Sequence, residues 1–254
     1  MHKTIRWEIK AAWRSFRIPG FWLLLLFFAL LDPPMIKYME TIITRFGGGV
    51  KIQVPPPTAQ LAFVQFLQDL SQISSLVLIL LVAGSVAAEK KSGLACWYLA
   101  QPLSRGQYLI SKWLAHFILL QGGVLGAGII SYLYTWTLLG TFPFGRALLA
   151  LVGSFAFLLF LMSATYLGSA LFSTAGAGVF GIVLGYGGYL FSGPAKALGV
   201  YRFFPQSLPG SMAAIVAGTY PSAELYPAII ACIVLSGVFL GLACVFFQRM
   251  ELSL

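Results

Sequence analysis

The sequence predicts an all-α polytopic membrane protein: six transmembrane helices preceded by an amphipathic interfacial helix, with short outer helices before the last span. Three observations predict it. Apolar residues make up 59% of the 254 residues and charged residues only 9%, against about 25% charged in a soluble domain. The mean hydropathy is +0.89. So little charge cannot keep so much apolar surface in water, which excludes a soluble enzyme or binding domain. The length accommodates about six spans of ~20 residues with their loops, read as one transmembrane domain over residues 1–254.

The first element is an interfacial helix over residues 1–18. Ile5, Ile9, Ala12, Trp13 and Phe16 share one side of it. Lys3, Arg6, Lys10, Arg14 and Arg17 share another, centred roughly 120° away, as in a helix lying in the headgroup plane. Arg6, Trp7, Lys10, Trp13 and Arg14 are its expected membrane contacts. An ordinary basic flank of the first span is the plainer alternative, and the clean segregation of the two stripes favours the interfacial helix. Pro19-Gly20 is expected to turn the chain into the bilayer. No small-residue cleavage pattern follows Leu31, so the segment is expected to be retained rather than removed as a secretory signal.

Six spans follow. The first starts near Phe21, is interrupted at Asp32-Pro33-Pro34 and resumes to about Ile43. The others run from about Leu61 to Ala88, Ser111 to Leu139, Ala147 to Phe172, Ala175 to Phe191 and Tyr226 to Phe247. Between them lie a Gly/Pro-rich loop from Gly47 to Pro57, a charged connection over residues 89–110, and a Pro-punctuated stretch over 192–225. That last stretch is apolar enough to form short helices dipping into the outer membrane edge.

Orientation follows the basic residues. With the N-terminus inside, Lys3, Arg6, Lys10, Arg14, Arg17, Lys90, Lys91, Arg105, Lys112 and Arg249 face the cytoplasm. Fewer face out: Lys37, Arg45, Lys51, Arg146, Lys196 and Arg202. That distribution satisfies the positive-inside rule and puts both termini in the cytoplasm. The formal charge of +9 then points to anionic lipid headgroups, not nucleic acid. Cys96, Cys232 and Cys244 are too few and too scattered for a disulfide framework or a zinc site, and no metal site is expected.

The connection after the second span is the most informative stretch. Glu89, Lys90 and Lys91 end the span. Ser92 is placed to cap a short helix whose Leu94, Trp97, Tyr98 and Leu99 make a docking surface, and Pro102 stops that helix. Arg105 and Lys112 flank the start of the third span. The pattern Glu89, Gly93, Leu99, Pro102, Ser104, Arg105, Tyr108 and Lys112 resembles the loop after the second span in membrane subunits of type-2 ATP-binding-cassette exporters. The likeness extends to an elbow helix at the start, six spans, and short outer helices before the last.

The resemblance implies a permease half that pairs with a second copy, or with a related permease, and is driven by separate cytosolic ATPase subunits. It implies that Glu89, Lys90, Gly93, Leu94, Trp97, Leu99, Pro102 and Arg105 form a coupling segment that enters a cleft of the ATPase, aided by the elbow helix. A plain juxtamembrane basic loop is the alternative for this segment. The sequence contains no G-x-x-x-x-G-K-[ST] phosphate loop. No cofactor is therefore expected on this chain, with ATP and Mg on the partner ATPase. The home expected is a plasma membrane, on compact size a prokaryotic one.

Polar residues within apolar spans are costly unless they face protein or water. Gln65, Gln68, Asp69, Gln72 and Ser75 form a stripe on the second span, close to the outer interface. It walls a translocation path or a dimer seam, or it projects into outside water. Asp32 suits an N-cap and Pro33 a first helical position, so the first span is expected to break there. Such a break lines a cavity, or it marks where a short span surfaces, with residues 35–46 lying flat. Asp32, Gln65, Asp69 and Gln72 are the candidate path or seam residues.

Ala177, Gly181 and Gly185 make a small-xxx-small face on the fifth span. His116 reads as a satisfied core histidine. Enzyme chemistry finds no H-E-x-x-H and no G-x-S-x-G, and Asp32 and Asp69 lie on different spans with no motif for an aspartyl pair. The expected function is an ATP-driven exporter for a hydrophobic or amphipathic cargo such as a peptide, drug or lipid-like molecule. An ion-gradient-driven transporter and a non-transporting immunity or assembly partner are the alternatives.

Overall fold

The computed structural model describes residues 2–46, 56–100 and 103–249. Most of the Gly/Pro-rich loop, with Lys51, and the expected helix stop at Pro102 lie outside the described residues. Among the described residues, six helical segments are long and apolar enough to cross a membrane: Arg17–Lys37, Ala59–Lys91, Arg105–Leu139, Phe144–Leu171, Thr174–Ala197 and Ser222–Arg249.

The chain starts with the amphipathic helix α1 (His2–Arg14). The chain then turns at Phe16, which takes a left-handed conformation at φ 58° before α2 (Arg17–Lys37) begins. The turn therefore falls at Ser15-Phe16 and not at Pro19-Gly20. Pro19 sits in the first turn of α2, where a missing N–H costs no hydrogen bond. The expected break at Asp32-Pro33-Pro34 is also absent: α2 runs through both prolines to Lys37. Proline's φ is helical, and opening the backbone in hydrocarbon would strand more polar groups than the two prolines do. The interruption comes at Tyr38, followed by the short α3 (Met39–Phe46).

The second span is α4 (Ala59–Asp69), a π-helical turn at Leu70–Ser74, and α5 (Ser75–Lys91). Local hydroxyls support the turn. Ser71 Oγ donates to Leu67 O at 2.6 Å and Ser75 Oγ to Ser71 O at 2.6 Å. The Tyr186 hydroxyl reaches in to Ser75 Oγ at 2.5 Å and to Gln72 O at 3.2 Å.

After α5 come the short α6 (Leu94–Leu99) and the long α7 (Arg105–Leu139). Ser92 ends α5 instead of capping α6, because the chain reverses at Gly93, whose φ of 75° suits a residue without a side chain. A capping box between Ser104 and Gln107 starts α7 well before Ser111, where hydropathy alone placed it.

Next are α8 (Phe144–Leu171), α9 (Thr174–Tyr186), α10 (Ser192–Ala197), α11 (Leu208–Ala217) and α12 (Tyr226–Arg249). Helix α8 is the hub, buried continuously from Ala156 to Ala170 and packed on α5, α9, α11 and α12. The small face of α9 fits it closely. A Cβ added at Gly181 would meet Thr165 Oγ1 at 2.5 Å, and one at Gly185 would meet Leu161 Cδ2 at 2.6 Å. Gln206 ties the short helices to α9, its Nε2 donating to Leu184 O at 2.7 Å and Gly185 O at 3.1 Å.

Candidate functional site: the junction of α1, α5, α6 and α7

The start of α7, the end of α5 and helix α1 meet around one lysine. Lys112 is 4% exposed. Its Nζ donates to Glu8 Oε2 of α1 at 3.0 Å and to Glu89 Oε1 of α5 at 2.6 Å. Tyr108 Oη, one helical turn before Lys112, donates to the other oxygen of Glu89 at 2.5 Å. The ammonium also lies over the rings of Tyr98 and Tyr108, at 5.8 and 5.6 Å from their centroids. Three elements and the short α6, through Tyr98, are thus held by one positive charge.

The electrostatics suit a fixed joint. Burial raises the Glu8 carboxyl above its usual range, against the pull of Lys112, and Glu8 Oε1 has no hydrogen-bond partner. Burial and then the Glu8 and Glu89 carboxylates push the Tyr98 phenol up to about 12. Tyr98 therefore stays neutral at physiological pH. The joint reaches the end of α12 as well: Arg105 Nη1 donates to Gln248 O at 3.0 Å and Tyr108 stacks on Phe247.

Helix α6 has two sides. Ala95 is buried, and Tyr98 packs edge-on against Trp7 of α1, 5.5 Å between centroids. Leu94 and Trp97 point away, 50% and 60% exposed. Of the expected coupling residues, Glu89 lies inside the joint, and Leu99 packs against the core. Lys90 donates to Ala170 O at 2.5 Å at the end of α8. On α1, Arg6, Trp7, Lys10, Trp13 and Arg14 are all exposed, and Trp13 meets Trp22 of α2 edge-on at 5.4 Å. His116 Nδ1 lies 3.0 Å from Lys112 O and 2.7 Å from Tyr166 Oη, inside the helix bundle.

At the opposite end, α2, α3 and α4 line an open cavity of about 400 Å³. Asp32, Gln65 and Asp69 line it together. Gln65 Nε2 donates to Asp69 Oδ2 at 3.2 Å, and the Asp32 carboxyl is a neighbour of that of Asp69. The rest of the expected stripe does not join them. Gln68 is exposed away from the cavity, and beyond Asp69 the π turn shifts the helical phase, leaving Gln72 exposed and turning Ser75 to Tyr186.

Glu8 and Tyr98 complete the joint without having been singled out as its members. Glu8 carried a signal: it is the one acid in α1 and falls on the side away from the basic stripe.

Two comparisons with known proteins bear on this arrangement. Residues 52–245 match the model of a family described as ABC-2 family transporter protein. The chain is also 28% identical over 182 residues, 70% of each chain, to the uncharacterized transmembrane protein YxlG of Bacillus subtilis strain 168. With the family model covering most of the chain and six apolar helices to match it, the protein belongs to the ABC-2 family of transporter membrane proteins.

Proposed function

We propose that the chain is the permease subunit of an ATP-driven exporter, paired with a second permease copy and driven by separate cytosolic ATP-binding-cassette subunits that carry the ATP and Mg. The α1 end of the bundle faces the cytoplasm of a prokaryotic cell, in its plasma membrane. Helix α6 and its flanks, Glu89 to Arg105, are the contact with the ATPase. ATP-driven closure of the ATPase pair pushes on α6, and the Lys112 joint passes that motion to α1, α5 and α7. The cargo is hydrophobic or amphipathic.

One observation carries the proposal. Helix α6 offers Leu94 and Trp97 outward while its other face is tied through Tyr98 to a charge-locked joint of three longer helices. A short helix with an exposed apolar tip on a rigid base suits a lever, since force on the tip is not lost in bending at the base. The exposed apolar residues Val179, Ile182 and Val183 of α9 leave a face open for a second permease copy or for lipid.

The test is affinity purification of the tagged full chain from its native membrane. A stoichiometric soluble partner bearing a phosphate-binding loop is the expected result. A folded chain that recovers no ATPase in any mild detergent would overturn the proposal.

A further inference from the structure

We propose that the cavity between α2, α3 and α4 binds the charged head of an amphipathic monocation, with Asp32 and Asp69 as the counter-charge. Two features of the cavity point to a ligand. Asp32 is 4% exposed, and its Oδ2 has no hydrogen-bond partner. A buried carboxyl oxygen without a donor is costly, and Asp32 is one of the residues lining the cavity in which a cation would sit. The second feature is the company it keeps. The neighbouring carboxyl is that of Asp69, itself held by Gln65, and among the described residues no lysine or arginine lines the cavity. Two acids lining one cavity, with no basic side chain beside them among the described residues, make an acidic corner in a largely apolar wall.

The wall decides the kind of cation. Phe28, Met35, Ile36, Met39 and Ile42 surround the acidic corner. A hydrated metal ion would need more oxygen ligands than this corner supplies, and among the described residues no group of three acidic, histidine or cysteine side chains could hold a metal. An apolar body carrying one positive charge satisfies both halves. Methionines adapt to varied shapes, the Phe28 ring can face a cation, and about 400 Å³ falls in the range of small-molecule sites. Gln65 and Asp69, four apart on α4, share the cavity side, and the π turn directly after Asp69 turns Gln72 away.

The proposal deepens the exporter function by giving its cargo a charge, and it rests on that function only for the transport step after binding. Its test therefore uses binding alone. The full chain in lipid nanodiscs is titrated with radiolabelled tetraphenylphosphonium, with empty discs subtracted, and with tetraphenylborate as a competitor of the same shape and opposite charge.

Saturable binding of the cation that the anion does not displace is expected, with Asp69→Asn and Asp32→Asn each weakening it about tenfold or more. Asp69→Glu is expected to retain most of it. Met39→Trp, which fills the apolar wall without touching either acid, is expected to weaken it too, and it serves where an acid variant fails to fold. No saturable binding, equal displacement by the anion, or unchanged binding in Asp69→Asn and Met39→Trp would overturn the site. Because no nucleotide or ATPase enters the assay, failure of the site leaves the ATPase partnership standing. The absence of an ATPase partner would likewise leave a positive binding result intact.

Discussion

Lys112 is the residue on which the junction turns, since it satisfies Glu8 and Glu89 at once from a site that is 4% exposed. Removing one partner of a buried pair strands the other, at about 3–5 kcal/mol. Lys112→Met is accordingly expected to lower the thermal midpoint of the detergent-purified chain sharply, whereas Lys112→Arg, which keeps the charge, is expected to lose less.

Glu8 behaves differently. Burial raises its carboxyl above the usual value, so the folded chain holds that proton more tightly than the unfolded one. Its contribution favours the fold at acid pH and declines as pH rises from the ordinary carboxylate range through the raised value. Glu8→Gln, which keeps an acceptor for Lys112, is expected to flatten that part of the midpoint-against-pH curve without a large loss. A midpoint curve unchanged by Glu8→Gln would contradict the assignment. Lys112 belonged to the loop pattern visible in the sequence. Glu8 did not, because an ion pair spanning more than a hundred positions leaves no local periodicity.

At the scale of elements, the six spans were legible because hydropathy over ~20 residues is a strong signal. The breaks within them were not. Pro33-Pro34 suggested an interruption by rules that hold in water, but in hydrocarbon the backbone stays helical to satisfy itself. The π turn at Leu70–Ser74 was hidden too, since its serines and Tyr186 lie on different spans, and it split a stripe that looked continuous. The small face of α9 was legible as a close-packing surface, and its partner α8 was not.

Gly181→Leu should therefore be strongly destabilising. Overpacking typically costs about 1–3 kcal/mol, and here Thr165 and Ile79 already crowd the added Cβ at 2.5 and 2.9 Å. A thermal melt checks it. Gly93→Val is expected to misplace α6, because φ 75° strains a β-branched residue. The readout is lost ATPase stimulation with the membrane bundle still folded.

Across the whole molecule, α8 binds the bundle together, and the two proposed sites lie at its two ends. One end carries the charge-locked joint beneath α6, and the other carries the acidic cavity between α2 and α4. Helix α2 runs from α1 to the cavity, and the second span runs from the cavity to Glu89, so two helical segments connect the ends. In the proposed mechanism, force applied at α6 would reach the cavity walls through them. The most direct measurement places a photo-crosslinking amino acid at Trp97, the exposed tip of α6, in the full chain within its native membrane. The account predicts a nucleotide-dependent adduct with an ATP-binding-cassette ATPase. Adducts with lipid or with the chain itself, and none with an ATPase from a correctly inserted chain, would contradict it.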